Sequence, residues 1–237
     1  MASRSAPEGQ AVPDFRGYRY PHLERLWLQL CAQPRLPQLD RWLSQALKAE
    51  RSFGRQDRLF YADALFTAMR YLQGIVLLEK GYQGSVTDWV SFALTEDEAM
   101  TTDVLWSECQ TLPAASVWFW LVQLLDGSVE LPVEITDGDA RMAVYQLAQQ
   151  QWSDTPATAL ILQGLRPAWQ SFLQQRREVS GWTEAQFSHF KTDQNTRPPL
   201  WLRVQKPGQI APVEQELSGL GFVVSIDQDA IQVLGQR

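Results

Sequence analysis

Apolar residues recur at helical spacing over most of the chain before its last 45 residues or so. Near the start, Leu23, Leu26, Trp27 and Leu30 stand at positions i, i+3, i+4 and i+7, the spacing of one face of an amphipathic helix. Similar faces follow along the chain. We therefore predict a helical domain of about eight helices over residues 16–192.

The apolar faces and the residues that interrupt them place the remaining helices. A long helix is predicted over 57–81, with Asp57 as its cap. The run 117–125 is apolar nearly all round, which is typical of a central buried helix. Glu96, Asp97 and Glu98 are expected to be solvated acids at a helix start. Other helices are predicted over 39–47, 86–94, 140–152, 157–165, 169–178 and 182–190.

The last segment changes period. After Pro198 and Pro199, apolar Leu200, Leu202 and Val204 alternate with polar or aromatic residues, which predicts a strand. A short helix is predicted over 212–220 with Gly221 as its stop, and strands over 222–226 and 231–234. The predicted fold is therefore mainly α, with a small β-α-β-β, α+β subdomain over 193–237. Residues 1–15 are predicted to be disordered.

Charge is distributed unevenly along the chain, whose net charge is -6. Residues 16–80 carry eleven Lys/Arg against six Asp/Glu, and residues 81–160 carry one against twelve. Residues 161–237 carry eight against seven. A polyanion would meet the first helical region or the last segment, and the acidic middle would repel it. The alternative interpretation is that the surfaces of the helices simply vary in charge.

Catalytic or metal chemistry has little support in the sequence. There is no glycine-rich phosphate loop, and the two histidines, His22 and His189, are expected to be structural. Cys31 and Cys109 are expected to be reduced core thiols of a cytoplasmic protein, without a metal. The apolar run at 117–125 is too short to span a membrane. Trp118 and Trp120 are expected to pack in the core rather than form a stacking platform.

Basic residues cluster around the predicted long helix. Arg51, Arg55, Arg58 and Arg70 follow Lys48, and the two arginines at 55 and 58 lie on one side of the helix. Arginines grouped in this way can bind phosphates through two donors at once. The alternative is pairing with nearby acids: Glu50, Asp57 and Asp63.

Two segments carry a resemblance to a known family. The segment 52–70 contains Gly54, Asp57 and Arg58 in the order Gly-x-x-Asp-Arg. It resembles a helix in the NusB-like N-terminal region of the RsmB/RsmF and Nop2/Sun family of RNA cytosine-C5 methyltransferases. The segment 195–204, with Pro-Pro-Leu and then Leu-Arg-Val, is similar to the start of the small RNA-recognition-like subdomain of that family. The resemblance covers residues 36–237.

The resemblance implies a function in RNA binding. The chain would be the part of an S-adenosylmethionine-dependent methyltransferase that positions RNA, ribosomal RNA above all, and it would be a monomer. The candidate RNA contacts are Arg55, Arg58, Arg70, Arg197, Arg203 and Lys206.

The sequence departs from the family in two places. Gln205-Lys206-Pro207-Gly208 stands where the family has Asn and then a Thr-Leu-Lys run, so the contact made by that Asn is in question. The cofactor-binding domain and its Pro-Cys nucleophile are not found, and Cys31 and Cys109 follow Leu30 and Glu108 rather than Pro. We therefore expect no catalytic or cofactor-binding residue in this chain, and expect the enzymatic activity in a longer parent protein.

Two other functions remain open. The acidic middle and the many aromatic residues are also compatible with a non-catalytic helical module that binds another protein through a Trp-rich surface. An antitermination factor similar to free NusB is a weaker alternative, because such proteins are short and all helical and would not carry the predicted strands.

Overall fold

A computed structural model describes residues 18–125, 137–194, 200–204, 207–227 and 230–236. The segment predicted to be disordered, 1–15, and most of the loop predicted at 132–138 lie outside these ranges. The chain divides into two compact units, Met1–Asn195 and Thr196–Arg237. The first is helical and the second contains a three-stranded sheet, which confirms the mainly α fold with a small α+β unit.

In its described part, the first unit contains ten α-helices and two short 3-10 helices. The α-helices are α1 (Arg19–Cys31), α2 (Leu39–Ala49), α3 (Arg55–Arg70), α4 (Leu72–Gln83), α5 (Trp89–Ala99), α6 (Thr102–Thr111), α7 (Ala114–Leu125), α8 (Gly138–Ser153), α9 (Gln170–Ser180) and α10 (Glu184–Asp193). The 3-10 helices are Thr158–Gln163, where an α-helix was predicted, and Pro167–Trp169.

The core of this unit is built around α4 and α7. Helix α7 is buried on almost every side, as its apolar run predicts, and Trp118 and Trp120 are both fully buried. Helix α4 packs against α3, α5, α6, α7 and α8, and nine of its twelve residues are buried. Because apolar side chains cover both helices, their burial supplies much of the hydrophobic stabilisation of the unit.

The predicted helix over 57–81 is two helices, joined at Tyr71. Tyr71 leaves the helical conformation, with φ of -91° and ψ of 5°. Its side chain is buried, and Gly164 approaches the junction so closely that an added Cβ would lie 3.2 Å from the Arg70 carbonyl oxygen. Gly164 itself has φ of +68°, which glycine adopts without strain. The break between α3 and α4 therefore lies beside Gly164, a residue that is distant in the sequence.

The region predicted as helix 86–94 plus a new start at Thr95 is the single helix α5. Its cap is Asp88, whose carboxylate accepts from the Ser91 backbone N–H at 3.0 Å. The next helix, α6, was not predicted; Thr101 caps it by accepting from Val104 N–H. The acids Glu96 and Asp97 thus lie in the last turn of α5, and the expectation of a helix start there is wrong.

The second unit is a β-α-β-β arrangement, as predicted. Its strands are β1 (Leu200–Arg203), β2 (Phe222–Asp227) and β3 (Ala230–Gln236), and α11 (Ile210–Gly219) lies between β1 and β2 in the chain. Strand β3 is central and pairs antiparallel with both neighbours. Ile231 on β3 is fully buried, while α11 packs on β2 and β3. Gly221 ends the helix with φ of +86°.

Candidate functional site

The candidate RNA contacts of the first unit do not form one cluster. Arg55 and Arg58 lie in the first turn of α3, and Arg70 lies at its other end, about 22 Å away along the axis of an ideal helix. Arg203 is exposed on β1 of the second unit. Arg197 and Lys206 lie outside the described residues. The three candidates of the first unit therefore lie at the two ends of α3.

Arg58 joins α2 to α3. Its Nε donates to the Phe53 carbonyl at 3.0 Å and its Nη2 to the Glu50 carbonyl at 3.0 Å, while Nη1 donates to the Leu47 carbonyl. These carbonyls lie at or just beyond the end of α2, where the helix leaves backbone acceptors without partners. The guanidinium is thus engaged on three sides by the protein itself.

The acids near this arginine group have other partners. Glu50 pairs with Arg25 at 2.9 Å, and Asp57 pairs with Arg19 at 3.2 Å. Asp57 also accepts from the Gly54 backbone N–H at 3.2 Å, so Gly54 is the N-cap and the prediction of Asp57 as the cap residue is wrong. A hydrogen bond from Tyr18, and then those from Gly54 and Arg19, hold the pKa of Asp57 below its usual value.

A pocket lies at the other end of α3, and we name it the Trp169 pocket. Its volume is about 370 Å³, within the range of small-molecule sites. Among the described residues its apolar lining is Met69, Gly74, Leu105, Ile161, Gly164 and Leu165. Its polar and aromatic lining is Arg70, Gln73, Arg166, Trp169 and Gln194. Arg70 is thus the candidate contact that lines a cavity.

Asp97 organises one side of this pocket. It is 5% exposed, and its Oδ1 accepts from Gln73 Nε2 at 2.7 Å and from Arg166 Nε at 2.9 Å. Its Oδ2 accepts from the backbone N–H of Ala168 at 2.8 Å. Arg166 Nη2 donates to the Asp97 carbonyl at 2.9 Å. This buried carboxylate is fully hydrogen-bonded, and it fixes both Gln73 and Arg166.

Gln73 carries an unused acceptor. Its side chain is 8% exposed, and no group in the described part of the chain donates to Oε1. The amide cannot be reversed, because its N–H group must face the Asp97 carboxylate. A buried polar atom without a partner costs about 1–3 kcal/mol. Gln73 therefore carries an unsatisfied acceptor beside the Trp169 pocket, and this atom is closed off from solvent.

Aromatic exposure also distinguishes this pocket. Trp27, Trp89, Trp118, Trp120 and Trp152 are fully buried, so the Trp-rich surface expected for a protein-binding module is not found among them. Trp169, in contrast, is 46% exposed.

Sequence reasoning missed Trp169, Gln73 and Arg166 as site residues. Gln73 lies far in the sequence from Arg166 and Trp169, and no motif joins the three residues. The signals available were the Gly164 turn and the Arg166-Pro167 pair that follows it, and neither indicates a pocket by itself.

A second buried polar cluster joins α4 to α8. Arg141 donates to Glu79 through Nη1 and Nη2, and Trp120 Nε1 donates to Glu79 Oε2 at 2.7 Å. Burial alone would raise the pKa of Glu79, but the hydrogen bonds from Arg141 and Trp120 outweigh it and hold this pKa below its usual value. The Arg141 guanidinium lies 4.4 Å from the centre of the Tyr82 ring. Every group in this cluster is engaged, which indicates a structural role.

The two cysteines lie close together. Cys31 at the end of α1 and buried Cys109 on α6 place their Sγ atoms 3.9 Å apart, and both are free thiols. The contact with Cys31, together with burial, raises the pKa of the Cys109 thiol. The same contact lowers the pKa of the half-buried Cys31 thiol, whereas Cys109 is buried and is not the accessible thiolate that cysteine nucleophiles require.

The described residues contain no group of three or more metal-ligating side chains, and none of their helices is long and apolar enough to cross a membrane. Comparison of the chain with protein-family models, with curated proteins and with solved structures gives no match. A function for this chain can therefore be inferred only from its own sequence and structure.

Proposed function

We propose that this chain is the RNA-binding, substrate-positioning part of an S-adenosylmethionine-dependent RNA cytosine-C5 methyltransferase that acts on ribosomal RNA in the cytoplasm. One observation carries the proposal: a helical unit with Gly54, Asp57 and Arg58 at the start of α3 is followed by a β-α-β-β unit. The first strand of that unit presents Arg203 to solvent. The resemblance described above concerns the same two places.

The contribution of this chain to such an enzyme would be binding and orientation. An exposed arginine on a sheet edge strand can contact the phosphate backbone, which fixes the register of an RNA without reading its sequence. The cofactor would supply the methyl group. The buried Cys109 thiol, whose pKa is raised, does not fit the nucleophile of this reaction, and we derive no methyl-transfer step from the residues of this chain.

The test is RNA affinity as a function of salt. Binding of a fluorescein-labelled single-stranded RNA to the full chain would be measured by anisotropy between 50 and 200 mM salt, roughly the range in which phosphate contacts are lost. Arg203→Ala should weaken binding and reduce the slope of log Kd against log salt by about 0.7. Arg35→Ala is the matched control, since it removes the same charge from an exposed position outside the candidate set.

Two outcomes would count against the proposal. Equal affinities and slopes for Arg203→Ala and Arg35→Ala would remove Arg203 from the RNA contact. Absence of RNA binding by the unmodified chain, with stable capture of a protein partner instead, would favour the helical interaction module.

A further inference from the structure

We propose that the Trp169 pocket binds one unstacked nucleotide of a single-stranded RNA, with its base against Trp169 and its phosphate at the guanidinium of Arg166. This inference rests on the proposed function and extends it, because it assigns the helical unit a preference for single strands. Three features of the pocket support nucleotide binding: its size, its exposed aromatic side chain and its polar groups.

The size of the pocket suits one nucleotide. Its volume of about 370 Å³ is near the lower end of small-molecule sites. Buried Ile161 and Leu165 form part of its inner wall, and exposed Trp169 and Gln194 lie where solvent reaches it. A paired base cannot enter a cavity of this kind unless it leaves its helix. Single-stranded RNA offers such bases without that cost.

Trp169 provides the stacking surface. It is 46% exposed although it lines a pocket, whereas the large tryptophans of the core are fully buried. Trp169 is the last residue of the short 3-10 helix Pro167–Trp169, and Arg166 is the residue just before that helix, so the two side chains belong to one short segment. Stacking of a base on an exposed aromatic ring beside an arginine is the usual way in which proteins hold unpaired nucleotides.

The polar groups favour a nucleotide over an aliphatic ligand. Gln73 Oε1 has almost no accessible surface, so the polar group that a ligand in the pocket can reach is the guanidinium of Arg166, whose side chain is 33% exposed. Asp97 holds the Arg166 guanidinium through Nε and Nη2, and among the described residues no acceptor is paired with its Nη1. A guanidinium fixed in this way is suited to a phosphate oxygen.

The experiment uses the full chain and an eight-nucleotide single-stranded RNA, with its duplex and inorganic phosphate as comparisons. Trp169→Ala should weaken binding of the single strand by about 5- to 150-fold, and Trp169→Phe by less than about 5-fold. Phe172→Ala is the matched control, because Phe172 is 69% exposed on the neighbouring helix and does not line the pocket. Cytidine monophosphate should compete with the single strand, and inorganic phosphate at equal concentration should not.

The outcomes separate this inference from the proposed function. If Arg203→Ala weakens RNA binding while Trp169→Ala behaves like Phe172→Ala, the pocket proposal is overturned and the proposed function stands. If cytidine monophosphate fails to compete, or duplex and single strand respond equally to Trp169→Ala, the pocket does not hold an unpaired nucleotide. A chain that binds no RNA at all contradicts both.

Discussion

At the scale of single residues, two arginines three positions apart in the same helix turn have different surroundings. Arg55 is exposed, whereas Arg58 donates to carbonyls at the end of α2. A planar guanidinium can satisfy several acceptors that diverge in space, while an ammonium group acts as a single charge on a flexible stem. At position 58, arginine therefore contributes to stability in a way that lysine would not. At position 55, the exposed side chain contributes its positive charge, which lysine would also supply.

Exchange of arginine for lysine at these positions should separate the two roles. Arg58→Lys should lower the free energy of unfolding by about 1–3 kcal/mol, because charged hydrogen bonds to backbone carbonyls are lost. Arg55→Lys should change it by less than about 0.5 kcal/mol, as is usual for exposed positions. Urea denaturation of the two variants provides the comparison. Equal stabilities would mean that the Arg58 bonds contribute nothing net.

At the scale of elements, the join between α4 and α5 depends on a very close approach. Trp89, the first residue of α5, is fully buried against Gly81. A Cβ added at Gly81 would lie 2.1 Å from Trp89 Cη2 and 2.5 Å from Cζ3, far inside van der Waals contact. Trp89 cannot move aside easily, since its ring also meets the Trp152 ring at a centroid distance of 5.7 Å.

Gly81→Ala should therefore destabilise the helical unit by about 1–3 kcal/mol, or more if the ring is displaced. Helix propensity alone would make the alanine variant more stable by about 1 kcal/mol, so a loss of stability would report the clash with Trp89. Gly138→Ala is the matched control: Gly138 begins α8, and no atom of the described residues lies within 4 Å of an added Cβ. Thermal unfolding with near-UV circular dichroism would report both stability and the Trp89 environment. A rise in stability for Gly81→Ala would contradict the close contact.

Elements with a local signal could be predicted from the sequence, and those fixed by distant contacts could not. Helix α7 and strand β2 follow from an apolar run and from a strand pattern after Gly221. The acids after Thr95 suggested a helix start, yet Asp97 is the buried partner of Arg166, 69 residues later. The same limit applies to the Trp169 pocket, whose members come together only through tertiary packing.

At the scale of the whole molecule, an acidic chain with a net charge of -6 keeps the carboxylate of Glu79 deep in its core. Glu79 is 2% exposed and is compensated by Arg141, which reaches it across 62 residues of sequence. Separating such a pair is costly, because the remaining charge stays buried without a partner. The stability of the helical unit should therefore depend on which residues stand at positions 79 and 141, and on pH.

Removal of Arg141 alone should be worse than removal of the pair. Arg141→Met should destabilise the protein by about 3–5 kcal/mol, while the double variant Glu79→Gln, Arg141→Met should recover part of that loss. Chemical denaturation at pH 7 of Arg141→Met, of Glu79→Gln and of the double variant would give the three values needed. If the double variant were as unstable as the sum of both single variants, the two residues would not be coupled.

Acid should weaken the same cluster. Since the pKa of Glu79 is lower in the folded protein than in the unfolded chain, its contribution is fully present above the unfolded value of about 4.3 and is lost as the pH falls below it. The unfolding free energy of Glu79→Gln should then fall less steeply than that of the unmodified chain below about pH 4.3. If the curves of unfolding free energy against pH were parallel for the two proteins, the pKa of Glu79 would be the same in the folded and the unfolded chain.

The contact between Cys31 and Cys109 has a practical consequence for handling. Their sulfurs lie 3.9 Å apart and belong to residues 78 positions apart in the sequence. A small approach of α1 and α6 would allow a covalent bond in air-exposed samples, and closing a loop of this length restricts the unfolded chain by roughly 4 kcal/mol. Samples stored without a reductant would then mix two populations of different stability. Every stability comparison above should accordingly be made with the thiols kept reduced.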